Sequence, residues 1–109
     1  MGFAHVLDEV FLHFECTHRI PHGLRVGFAS IPMLIYQRAD SNQLKRYLDF
    51  SRIAGIPVSL RELGLDSIRR DQWLDAFRHT VLKSGTLETL PFRVTPEEMI
   101  ECLFSVRKY

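Results

Sequence analysis

Four of the five histidines stand in the first 22 residues, at His5, His13, His18 and His22, interleaved with Asp8, Glu9, Glu15 and Cys16. Imidazole nitrogens and carboxylate oxygens are the ligand set of zinc and ferrous iron. A helix, a reversal and a second helix can bring such groups together. The reversal here is Thr17 to Pro21, which places His5 on one helix and His22 at the start of the next. A helix N-terminus disfavours an imidazolium, so it keeps His22 neutral with a lone pair for a metal. Spacing alone leaves a plain alternative open: His22 as a helix-start residue and His5 as a hydrogen-bonded, half-buried one. Metal sites normally need three or more ligands.

Asp8 follows His5 by one helical turn, so the two share a face. It is a candidate further ligand, or an acceptor that orients the His5 ring. A surface hydrogen bond is the simpler reading of the same spacing. His13, Cys16 and His18 fall toward or within the turn and are peripheral to this pair. His79 stands by itself on an amphipathic stretch and reads as structural. Other catalytic signatures are missing: there is no GxGxxG, no phosphate-binding loop and no GxSxG, and Gly23–Gly27 has the wrong spacing for a dinucleotide loop.

The elements that must position these residues read as helices throughout. Apolar side chains at Phe3, Val6, Leu7, Val10, Phe11 and Phe14 predict a helix over about 3–14. From His22 to about Tyr36 nearly every residue is apolar or small, as in a buried central helix that Pro32 should kink or split. Asp40 or Ser41 caps a third, with Leu44, Tyr47, Leu48, Ile53 and Ala54 facing inward, stopped by Gly55 before Pro57. Ser59 and Glu62 form a capping box for a single turn ending at Gly64. Asp66 or Ser67 opens a helix with Ile68, Trp73, Leu74, Phe77 and Val81 inward, and Gly85 stops it. A loop over 86–94 precedes Thr95-Pro96-Glu97-Glu98, which combines an N-cap threonine, a proline at the first helical position and a glutamate at the third. That last helix buries Met99, Ile100, Leu103, Phe104 and Val106. With no two-residue alternation anywhere, the fold class is all-α, a single bundle of five or six helices over residues 1–109.

Composition narrows the partners. At 109 residues with 46% hydrophobic side chains the chain can bury a core without staples. A net charge of +1 argues against nucleic acid. No apolar run is long enough to span a membrane, and His5, Asp8 and Glu9 break any secretory leader. Two isolated cysteines without CxxC spacing fit a reducing, cytoplasmic setting.

Several segments resemble, in order, the C-terminal helical region of glycerol dehydrogenase and its relatives in the iron-containing alcohol dehydrogenase superfamily. Gly2-Phe3-Ala4-His5 is similar to the helix carrying that family's first ligand histidine. His22-Gly23-Leu24-Arg25-Val26-Gly27-Phe28-Ala29 is similar to its "HGEKVAFG" element, which carries the second. Gly55-Ile56-Pro57-Val58-Ser59-Leu60 with Glu62-Leu63-Gly64, then Leu90-Pro91-Phe92 and Val94-Thr95-Pro96-Glu97, continue the likeness. The resemblance implies the helical half of a fold shared with dehydroquinate synthase-like proteins, with His5 and His22 as ligands to zinc or iron(II). It further implies that an upstream aspartate and an NAD-binding α/β domain, neither within these residues, complete an enzyme acting on a small polyol or hydroxy acid. Two departures stand out. The family's His-Asn-Gly after the first ligand is Asp8-Glu9-Val10 here, and its "ETIHNMP" is Gly85 to Pro91.

The expectation is therefore a metal-binding helical domain of an NAD-dependent oxidoreductase, inactive as this chain by itself. Two alternatives accompany it. One is a non-catalytic assembly module that self-associates through exposed apolar helix faces. The other is a small metal-binding protein in which Asp8 supplies the missing carboxylate.

Overall fold

The computed structural model describes residues 2–109, and every regular element among them is helical. Helix α1 (Phe3–Phe11) buries Phe3, Val6, Leu7, Val10 and Phe11 along one stripe. It stops three residues before the expected end. The Thr17 hydroxyl donates to the carbonyls of Phe11 and Phe14, both at 2.8 Å, and so satisfies the end of the helix through a short 3₁₀ turn, Glu15–Thr17. Phe14, released from the helix, packs edge-on against Trp73 with ring centres 5.1 Å apart.

Helix α2 (His22–Tyr36) continues through Pro32 rather than splitting there, one of the two outcomes expected of that proline. Proline at this position removes the hydrogen bond to the Phe28 carbonyl, at a cost of about 3 kcal/mol. Burial outweighs it: α2 lies against α1 and, through its length, against the third and last helices, with Phe28, Ala29 and Ile31 fully enclosed.

Helix α3 (Ser41–Ala54) opens on Asp40, whose carboxylate accepts from the Gln43 amide at 2.8 Å, and closes at Gly55 with φ 77°. Its inward stripe is Leu44, Leu48 and Ser51 rather than the expected run to Ile53 and Ala54. At about 100° per residue, Ile53 lies on the far side from Ser51, and it is 89% exposed. The Gly55–Pro57 turn folds back on α2 at Gly27, where an added Cβ would stand 2.8 Å from an Ile56 methyl. Tyr47 donates to the Gly27 carbonyl across the same approach, at 2.6 Å.

The Ser59 hydroxyl accepts from the Glu62 amide and starts the single turn Arg61–Leu63. The next helix was expected to run unbroken from Asp66 or Ser67 to Gly85. It begins instead at Arg70, where the Gln72 side chain accepts from the Arg69 amide, giving α4 (Arg70–His79). Thr80 then interrupts it, donating its hydroxyl to the Ala76 carbonyl at 2.7 Å, and only one more turn follows as α5 (Val81–Ser84). Gly85 ends that turn, and Thr86–Thr89 form a 3₁₀ turn inside the expected loop.

Thr95 and Glu98 make the reciprocal capping bonds at the start of α6 (Pro96–Ser105), as the sequence predicts. Met99, Ile100, Leu103 and Val106 are buried, and Phe104 is half-buried under the guanidinium of Arg107. The bundle thus holds six α-helices among the described residues, one of them a single turn, around one core. At its centre the Phe11 ring sits 6.0 Å from both Phe28 and Trp73, tying α1, α2 and α4 together. None of the described helices is long and apolar enough to cross a membrane.

Candidate functional site

The face where α1 meets the start of α2 collects the chemistry. Packing of α1 against α2 brings His5 and His22, seventeen positions apart, to a ring-centre separation of 6.0 Å. Both side chains are exposed, His22 by 62%. Directly beneath them lies Asp8, only 5% exposed. Asp8 does not turn toward His5. His5 and Asp8 are one turn apart on α1, but His5 is exposed while Asp8 is buried and bonds across to α2. Its Oδ2 lies 2.9 Å from His22 Nδ1, and its Oδ1 accepts from Arg25 Nε at 2.6 Å, with Arg25 Nη2 3.5 Å from Oδ2. Arg25 Nη1 also donates to the Ile20 carbonyl in the turn before α2.

Arg25 is the residue that sequence reading passed over. It is 7% exposed, inside a largely apolar helix. A signal was present: a guanidinium in the middle of a buried run demands an ionised partner, because desolvating it unpaired costs several kcal/mol. The one carboxylate buried with it is Asp8. Together they form a closed ion pair, one turn below His22, whose two carboxylate oxygens are both engaged.

The remaining histidines go elsewhere. His18 Nε2 sits 2.7 Å from the Leu12 carbonyl. His13 stacks on His79 with ring centres 5.8 Å apart, and His79 Nδ1 lies 2.8 Å from the Asp75 carbonyl. The Cys16 thiol faces the Leu63 and Gly64 carbonyls at 3.7 Å. Cys102 is buried on α6, and desolvation pushes its thiol pKa up, reinforced by the carboxylates of Glu98 and Glu101. Glu9, next to Asp8, accepts from the hydroxyls of Ser84 and Thr86 at 2.9 and 3.0 Å, tying α1 to the region after α5. The two segments that depart from the family pattern, Asp8-Glu9-Val10 and Gly85–Pro91, are therefore in contact through this tie.

As a donor set the pair suits a borderline divalent metal in part. Two imidazoles on one tetrahedral zinc, with bonds of about 2.0–2.1 Å, place their ring centres roughly 5 Å apart. The observed 6.0 Å is about 1 Å wider than that. Among the described residues no group of three or more His, Cys, Asp or Glu is placed to hold a metal ion. Nor is the pair enclosed. A groove of about 600 Å³ is lined by Leu82, Leu87, Leu90, Phe92 and Val94, and one of about 450 Å³ by His13, Phe14, Asp71 and Asp75; neither includes His5 or His22. The two histidines lie exposed, side by side, where α1 meets the start of α2.

No family model matches the chain. Its sequence is similar to glycerol dehydrogenase of Citrobacter freundii, 28% identical over 96 residues, covering 88% of this chain and 26% of that protein. Glycolaldehyde reductase of Halobacterium salinarum is 25% identical over 106 residues, covering 96% of this chain and 29% of that protein. Glycerol dehydrogenase of Thermotoga maritima is 23% identical over all 109 residues, which span 30% of it. The chain is thus glycerol-dehydrogenase-like along most of its length, and spans three tenths or less of these relatives.

Proposed function

We propose that these residues are the metal-ligand-bearing helical part of an NAD-dependent oxidoreductase acting on a small polyol or hydroxy acid. His5 and His22 supply two ligands to zinc or iron(II). The third ligand and the nicotinamide site belong to a part of the enzyme outside these residues. The observation that carries this reading is the meeting of His5 and His22 on one exposed face, 6.0 Å between ring centres, in a chain similar to glycerol dehydrogenase over most of its length. The open face fits a site that closes only when another domain packs on it. The free thiols of Cys16 and Cys102 suit the reducing cytoplasm in which such an enzyme works.

A metal held by His5 and His22 would supply Lewis acidity toward a substrate hydroxyl, and a nicotinamide bound elsewhere would supply the hydride chemistry. This chain's contribution is positional. His5 and His22 present ring nitrogens from two helices held together by the Phe11–Phe28 contact and the Asp8–Arg25 pair. Neither residue has to move far to bind. By themselves the 109 residues have no means of accepting hydride and do not oxidise glycerol with NAD.

Zinc titration by calorimetry tests the assignment. His5→Ala and His22→Ala should each weaken binding by about tenfold or more, since each removes one of only two ligands. Unchanged affinity in both variants overturns it. NAD-dependent glycerol oxidation by the purified chain overturns the division of labour between domains.

A second reading has an observation of its own. Phe50 and Ile53 stand 56% and 89% exposed on the outer face of α3, an apolar surface that suits self-association. Light scattering of Phe50→Glu/Ile53→Glu against the wild type checks it: a homo-oligomer should dissociate. A wild type already monomeric at high concentration removes this reading.

A further inference from the structure

Resting on the assignment of His22 as a ligand, we propose that Asp8, clamped by Arg25, is the positioning residue of the half-site. It holds the proton of His22 on Nδ1, and so makes Nε2 the ligating atom. The ionised carboxylate of Asp8 can only accept, so in the 2.9 Å contact the proton belongs to His22 Nδ1. A neutral imidazole with its proton on Nδ1 carries its lone pair on Nε2. An unrestrained ring populates both tautomers and turns freely about its side-chain bonds, whereas this one is fixed at one edge.

Arg25 is what makes the fixing rigid. Its guanidinium bonds Asp8 through Nε and reaches the turn through the Ile20 carbonyl, so α1, the turn and α2 are joined at one point. Both partners are almost fully enclosed, with side-chain exposures of 9% and 6%. The carboxylate therefore cannot swing out to become a ligand itself without leaving a buried guanidinium unpaired. This assigns Asp8 a place behind the metal rather than on it. It also removes the possibility that Asp8 completes the site in place of a missing carboxylate.

The arrangement depends on two charges at once. It needs an acid at position 8 and a guanidinium at position 25 together, and either alone would be a buried unpaired charge. Outer partners of this kind commonly alter metal affinity about 10–100-fold when removed.

Long-range ¹H–¹⁵N spectra of the ¹⁵N-labelled 109-residue chain at mildly alkaline pH read the tautomer directly. The His22→Ala spectrum assigns the signals. Wild-type His22 should show its proton on Nδ1, and added zinc should shift Nε2. The double variant Asp8→Leu/Arg25→Met removes both charges at similar volume, a replacement that leaves folds intact. It should keep its thermal transition, show both His22 tautomers, and bind zinc about 10–100-fold more weakly. A wild-type ring protonated on Nε2 overturns the proposal outright, whether or not the double variant folds. So does a folded double variant that retains the Nδ1 proton. If the tautomer responds as expected but zinc shifts neither His5 nor His22, the ligand assignment fails while the hold of Asp8 on the ring stands.

Discussion

Two clusters in this molecule join a carboxylate to basic side chains, and they do different things. Asp8 and Arg25 meet between α1 and α2, almost out of water. Asp49 on α3 meets Lys45 one turn before it at 2.7 Å and Arg52 one turn after it at 3.4 Å, with every member about half exposed or more. The bonding chemistry is nearly the same. In the exposed cluster water takes the place of any partner that is lost, so the contacts are decoration on an amphipathic helix. In the buried one nothing replaces a lost partner, and the pair dictates how two helices and a histidine are arranged. Burial, not charge, separates a structural device from a solvated surface.

The largest expected effect tests the buried member. Arg25→Ala leaves Asp8 enclosed without its counter-ion and should cost about 3–5 kcal/mol of unfolding free energy. Chemical denaturation of the variant measures it. A loss no larger than that of a surface substitution would erase the contrast between the clusters.

Glu9 sharpens the comparison because it lies between the extremes. It is half-buried and holds two hydroxyls, those of Ser84 and Thr86, rather than a charge. Glu9→Ala should lower stability by about 1 kcal/mol, the scale of a pair of partly wet hydrogen bonds. A cost matching that of Arg25→Ala would show that charge pairing is not what makes the Asp8 site special.

The smallest effect belongs to Asp49→Asn, which should leave the thermal midpoint nearly unchanged at neutral pH. What Asp49 does contribute has a defined pH range. The hydrogen bond from Lys45 chiefly, aided by the charges of Lys45 and Arg52, holds its carboxyl below the ordinary 3.8. A carboxylate depressed in the folded state stabilises above its unfolded pKa, and that contribution disappears as pH falls through the lowered folded value. Any difference between wild type and Asp49→Asn should therefore be present above pH 3.8 and vanish in stronger acid. A difference that grows on acidification would contradict the sign.

Much of the fold could be read from local signals because those signals are complete within a few residues. The Asp40 cap, the left-handed Gly55 and the Thr95–Glu98 box each satisfy a helix end with groups at most four positions away. Misreadings occurred where a polar side chain, not the apolar pattern, decided. Thr17 reached back to end α1 early, and Thr80 broke the α4–α5 run with its own hydroxyl. Ser51 took the inward place on α3 that apolarity alone assigned to Ile53.

The same division runs through the site. The two histidines were legible as candidates from residue type and their place on either side of a turn, and more sharply from the resemblance of their flanking segments. The sequence by itself determined the helices, their caps and which side chains were available for chemistry, since helical periodicity and capping are short-range. Only the tertiary structure decided that Asp8 serves His22 rather than His5, and that Arg25 holds them both. Those bonds span 14 and 17 positions. They exist because α1 and α2 exclude water where they pack, so a buried carboxylate and guanidinium must find their partners within the fold.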